Sequence, residues 1–258
     1  MRRLLARVLL GAGAIACAER PAPQADVAVV GAFAFANATG TQLLAIDPGQ
    51  EAAAFTTALC RDGRIDLRFV RTQAGSGATN GRQVAANFDH EAGALFELVS
   101  GSAAPDETCF VTTSEIARAA VPTSPSSSPA CTDGQSAALA RQAQRELLHC
   151  WLLATTGSGT SILAAQFVTV DTSALAALAL FEDELRFFHP LPGRGGSDDG
   201  VWRVDDGGVF DPAALRLLFA AALPQGHALA VLWAGAEGES EQLVLADSTG
   251  KTRSVITA

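Results

Sequence analysis

The chain has 258 residues, is 48% hydrophobic and carries a formal net charge of −9. That length supports one large domain or two small ones with a real core, and that apolar content excludes disorder as the default reading. An acidic surface repels phosphate backbones, so nucleic acid is excluded as an expected partner, and any membrane attachment must come from an acyl chain rather than from charge.

The segment Met1 to Gln24 has the order of an export signal. Arg2, Arg3 and Arg7 are followed by the apolar run Leu4 to Ala16, and small residues precede Cys17. On Ile15, Ala16 and Cys17 the segment resembles bacterial lipoprotein signals, which end in a small-residue box before a cysteine. The resemblance implies a signal peptide over 1–16, a lipid on Cys17, and residence at the outer membrane or cell surface. Ala16-Cys17-Ala18 also fits ordinary secretory cleavage, which would extend the signal over 1–18, discard Cys17 and leave a periplasmic or secreted chain. The apolar run is shorter than the ~20 residues a transmembrane helix needs. Losing the three arginines makes the mature chain three charges more negative.

Residues 17–25, with Pro21 and Pro23, read as a tether, and 26–258 as a single β-rich globular unit. Val27 to Val30 and Leu43 to Ile46 have strand character, the second stopped by Asp47-Pro48-Gly49. Phe55 to Cys60 and Ile65 to Val70 flank Arg61-Asp62-Gly63-Arg64, a hairpin signal. Ile65, Leu67 and Phe69 alternate with polar residues, as a half-buried strand should. Ala74 to Gly81 reads as a loop, Gln83 to Phe88 and Ala94 to Val99 as a strand pair, and Cys109 to Thr112 as a short strand. Residues 122–129 form a Ser/Pro-rich loop.

Thr132-Asp133-Gly134-Gln135 fits a capping box and predicts a helix over Thr132 to Arg145, with Leu139, Ala143 and Leu147 on one face. Strand pairs follow: Leu147 to Thr155 with Ile162 to Asp171, Ala174 to Phe181 with Leu185 to His189, and Val201 to Val204 with Gly208 to Phe210. Asp211-Pro212 opens a short turn of helix before a strand that returns through Pro224-Gln225-Gly226, and Gln242 to Ala246 with Thr252 to Ile256 closes the chain. Strands joined in sequence predict a mainly β fold at the α+β border, an antiparallel meander or sandwich with one clear helix near 132–145.

Cys60, Cys109, Cys131 and Cys150 are an even set in an exported chain, with no C-x-x-C, and point to two disulfides. Cys131 can reach Cys150 only if the helix stops near Arg145 and the chain turns back as a strand. His90, His149, His189 and His227 lack metal-ligand spacing, and Ser76 and Ser158, each between glycines, lack the nucleophile-elbow pattern. No catalytic residue, metal or cofactor is expected. The densest polar cluster, 193–208, holds Asp198, Asp199, Asp205 and Asp206 around Trp202 and reads as solvated turns. Trp151, Trp202 and Trp233 read as core before ligand wall. The expected function is a non-catalytic binding or structural lipoprotein of the envelope, held at the membrane by its lipid, with an envelope protein or glycan as partner. The competing expectation is an extracellular hydrolase or carbohydrate-active enzyme using the acids of 193–208.

Overall fold

The computed structural model describes residues 31–49, 51–121, 123–125, 130–156, 159–195, 209–235 and 238–257. Val27 to Val30 and Val201 to Val204 lie outside them. The described fold is mainly antiparallel β, as the turn-linked apolar runs predict.

The first six strands close on themselves. β1 (Gly31–Ala36), β2 (Gln42–Ala45), β3 (Thr57–Cys60), β4 (Gly63–Gln73), β5 (Gly93–Leu98) and β6 (Thr108–Thr112) form a barrel in the order β1-β2-β5-β4-β3-β6. Closure removes every free strand edge from this part of the chain. Ile65 and Leu67 of β4 point inward with Ala34, Leu43, Phe55, Phe96 and Val111, while Asp66 and Arg68 stay exposed, so the alternation in the sequence sets the face. The predicted hairpin is present: Cys60 pairs with Gly63 across Arg61 and Asp62, and Gly63 takes φ 125°, a value that favours glycine.

α1 (Ser114–Ala119) then leads into β7 (Ala120–Val121) and β8 (Thr123–Pro125). After these come α2 (Asp133–Ala143), β9 (Leu147–Thr156), β10 (Ser161–Val170), β11 (Ser173–Phe181) and β12 (Leu185–Arg194). The chain ends with β13 (Leu215–Leu223), β14 (Gly226–Gly235), β15 (Gly238–Asp247) and β16 (Thr252–Thr257). One sheet has the order β12-β11-β10-β9-β8 and the other β16-β15-β14-β13-β7. Between Val121 and Thr123 the backbone therefore leaves one sheet and joins the other, the corner of a sandwich. The opposite margin is tied by Thr252, whose hydroxyl donates to the Phe188 carbonyl at 3.2 Å. Pro190 and Pro192 lie on β12, which among the described residues pairs on one side only, where a missing N–H costs no ladder bond.

The two sheets bury a shared core that includes Ile162, Leu178, Phe187, Leu229 and Val231. The outer face of the β13 to β16 sheet packs against the barrel through Phe33, Leu59 and Phe110 on one side and Leu218, Phe219, Leu232 and Leu245 on the other. The outer face of the β8 to β12 sheet is covered by α2, whose Leu139 is fully buried against Leu163, Phe167 and Ala177. The layers thus run helix, sheet, sheet, barrel.

Several expectations need correcting. Gln83 to Phe88 is not a strand: Ala85–Asn87 form a 3-10 turn, because the Asn87 side chain donates to the Arg82 carbonyl at 2.8 Å and Phe88 turns inward onto Phe35. β5 pairs with β2 and β4 instead. The loop expected at 122–129 contains strand β8 over Thr123–Pro125, paired with β9. Phe210 stands outside any strand. The helix ends at Ala143 because Gln144 turns left-handed at φ 53°, so Leu147 begins β9 rather than extending the helix face. The turn of helix at Pro212–Ala214 is as predicted, with Asp211 accepting from the Ala213 N–H at 2.8 Å.

The capping box of α2 is complete: Thr132 accepts from the Gln135 N–H at 3.2 Å, and Gln135 accepts from the Thr132 N–H at 3.0 Å. Thr132→Ala is expected to cost about 1 kcal/mol in urea unfolding, while Thr132→Ser stays within a few tenths.

Candidate functional site

Each cysteine of the expected set is bonded. Cys60 joins Cys109 across β3 and β6, with Cα atoms 4.4 Å apart, and Cys131 joins Cys150 at 5.7 Å. The second bridge forms because α2 stops at Ala143 and β9 turns back toward its start. Glu107 lies within 4.8 Å of both sulfurs of the first bridge. Its oxygens accept from the backbone N–H of Arg61 at 2.8 Å and of Ala104 at 2.7 Å, so this buried acid ties two turns to the barrel. Sulfurs in a disulfide are not thiolates and do not complete a metal site with it.

Cys17, Asp198, Asp199, Trp202, Asp205 and Asp206 lie outside the described residues. Of the remaining tryptophans, Trp151 and Trp233 both contact Phe210, at ring distances of 5.9 and 6.1 Å. Trp233 is 9% exposed and packs in the sandwich core, as a tryptophan in an aromatic-poor chain is expected to. Among the described residues no group of three metal-ligating side chains includes a histidine. His189 is half-buried, its partial desolvation lowers its pKa, and its Nδ1 lies 3.3 Å from the Thr252 hydroxyl.

Ser76 and His90 do meet, although the sequence places them in separate turns. The Ser76 hydroxyl is 2.9 Å from His90 Nδ1, and the Ser76 N–H donates to the His90 carbonyl at 3.0 Å. Among the described residues no carboxylate bonds to the other nitrogen of His90. The two contacts tie the Ala74 to Gly81 segment to the turn at His90.

A groove of about 630 Å³ lies between α2 and the β11–β12 turn. Thr132, Gln135, Arg141 and Gln142 line it from the helix, and Glu182, Asp183 and Glu184 from the turn, over a floor that includes Phe181 and Ala138. The acids project because Phe181 pairs with Leu185, which leaves three residues for the loop. Arg186 binds Glu182 and Glu184, each at 2.7 Å. The groove presents hydrogen-bonding groups of both charges on a rigid helix and hairpin. That equipment suits recognition of a polar chain and supplies no activated nucleophile.

A second polar group lies on the barrel-facing side of the β13 to β16 sheet. Arg216 and Glu241 both pair with Leu232 of the strand between them. Arg216 Nη2 bonds both oxygens of Glu239 at 2.9 Å. Glu241 is buried, and burial together with the negative charge of Glu239 pushes its pKa from the ordinary 4.5 up to about 7. A carboxyl whose folded pKa is raised makes the fold less stable as pH rises from 4.5 to 7, because the unfolded chain ionises first. The loss amounts to about 3 kcal/mol and is complete above pH 7. Glu241→Gln should remove this slope and leave the variant the more stable at pH 8. Urea midpoints of both proteins between pH 5 and 8 check this, and parallel curves would refute it. Lowering of the His189 pKa acts in the opposite sense, adding stability as pH rises toward 6.5, and it cancels in the comparison of the two proteins.

The fold and site define a disulfide-stapled barrel joined to a helix-covered sandwich. No family model, curated protein or solved structure matches the chain, and its functional reading rests on its own residues.

Proposed function

We propose that the chain is exported, anchored in the cell envelope by a lipid on Cys17, and acts there as a non-catalytic binding or structural lipoprotein. The observation that carries this reading is the pair of disulfides, one inside the barrel and one from Cys131, just before α2, to β9, in a chain that opens with a basic, apolar, small-residue segment. Disulfides persist in oxidising compartments, and each here staples a β framework. The attachment in this reading is the acyl chain on Cys17, on the strength of the small-residue box before it. The groove between α2 and the β11–β12 turn is the face offered to an envelope protein or glycan.

Mass spectrometry of the mature protein tests the anchor. A diacyl- or triacylglyceryl mass on an N-terminal Cys17 is the expected result. An unmodified N-terminus at Glu19 would retain export and remove the lipid, and an intact Met1 would remove both.

A further inference from the structure

A slot of about 170 Å³ opens where the barrel meets the sandwich, remote in sequence from the groove described above. Leu59 of β3, Val121 of β7, and Leu218 and Phe219 of β13 form its apolar walls. Consecutive residues of a strand normally face opposite sides. Here the register of β13 against β14 shifts between Leu217 and Phe219, and this bulge turns both Leu218 and Phe219 toward the barrel. The exposed members of the lining are Arg61 and Arg64. An Arg64 Nη2 donates to the Ala117 carbonyl and lies 3.5 Å from that of Ala120, which holds the guanidinium beside the slot without neutralising it. Among the described residues neither arginine joins an ion pair, in a chain whose net charge is −9.

We propose that this slot binds a small monocarboxylate, with its carboxylate on Arg61 and Arg64 and its apolar body against Leu59, Leu218 and Phe219. A cavity of about 150 Å³ lined by aliphatic and aromatic side chains accepts a benzene-sized guest, which sets the body at roughly six to eight carbons. Guanidinium groups match carboxylates in a planar, two-bond geometry, and junctions between structural units are favoured places for small-molecule sites. The site is independent of the envelope reading and of the groove.

Isothermal titration of the purified full chain with octanoate tests the assignment, with octanol and acetate as probes lacking the charge and the apolar body. Saturable binding of octanoate at millimolar concentration or tighter is expected, at least about fivefold stronger than either control. Arg61→Ala should weaken octanoate at least about fivefold without affecting the fold, since only the Arg61 backbone holds Glu107. Val121→Phe should fill the slot and abolish binding, with an unchanged circular-dichroism spectrum showing that the sheets persist. If Val121→Phe does not fold, the Arg61→Ala result decides alone. Equal binding of octanoate and octanol, no saturation, or an Arg61→Ala protein that binds octanoate normally would each overturn the proposal.

Discussion

Replacing Phe110 by alanine is expected to cost about 3–5 kcal/mol of stability, the range for emptying a fully buried aromatic site. Phe110 has no exposed surface. Its ring stands edge-on to Phe33 at 5.2 Å and meets Phe219 of the facing sheet at 5.3 Å. Gly31 passes so close beneath that a Cβ there would lie 2.5 Å from the ring, so the neighbouring backbone is already in contact and can collapse little further. Phe110 thus sits at the centre of the contact between barrel and sandwich, bridging Phe33 and Phe219, and its loss should loosen that contact as well as lower the urea midpoint. Val99→Ala is the control: Val99 is 64% exposed, and its truncation should change stability by less than about 0.5 kcal/mol. A Phe110→Ala cost below about 1.5 kcal/mol would show that the barrel and sandwich hold together by other means.

Removing the Cys60–Cys109 bridge by a double alanine substitution should cost about 4 kcal/mol, and removing Cys131–Cys150 about 3 kcal/mol. The ranking follows from the residues each bridge encloses, with sequence separations of 49 and 19. A longer loop loses more freedom in the unfolded chain when it is closed. Denaturant unfolding of both double variants under non-reducing conditions checks the order. A larger loss from the shorter loop would mean that packing around α2, rather than chain entropy, dominates.

Elements with local signals were legible in the sequence. The β3–β4 hairpin was readable from Asp62-Gly63 and the alternation through Phe69, the start of α2 from its capping box, and the turn at Pro212 from its aspartate and proline. Its closing strands were readable as a pair because Ser248-Thr249-Gly250 separates two β-rich runs. Barrel closure was not legible. It depends on β6 pairing with both β1 and β3, and nothing in Thr108–Thr112 names either partner. The helix α1 was missed because six residues carry too little periodicity, and Thr113 makes no side-chain cap bond to mark its start. Gln83 to Phe88 misled because Phe88 is apolar for packing on Phe35, not for a place in a ladder. The polar sites were hidden for a related reason. Glu239, Ser240 and Glu241 precede the strand expected from Gln242 as a plain polar run, and only the tertiary fold buries Glu241. The expected acids of 193–208 stand beyond the described residues, while the acids that line a groove, Glu182 to Glu184, are the short connection between two expected strands and carry no signal of their own.

The corner between β7 and β8 also imposes an order on assembly. Val121 pairs with Ala220, roughly a hundred residues later, whereas Thr123 pairs with Thr156 and the strands from β9 to β12 follow one another locally. The β9 to β12 meander can therefore form early, from contacts that need only short loops to close. The last four strands must find the two-residue β7 to complete their sheet. Until this sheet meets the barrel, Leu218, Phe219, Leu232 and Leu245 stand without their partners Phe33, Leu59 and Phe110. A chain cut short before β16 would carry that apolar face without a complete sheet to hold it, and aggregation is the physical consequence.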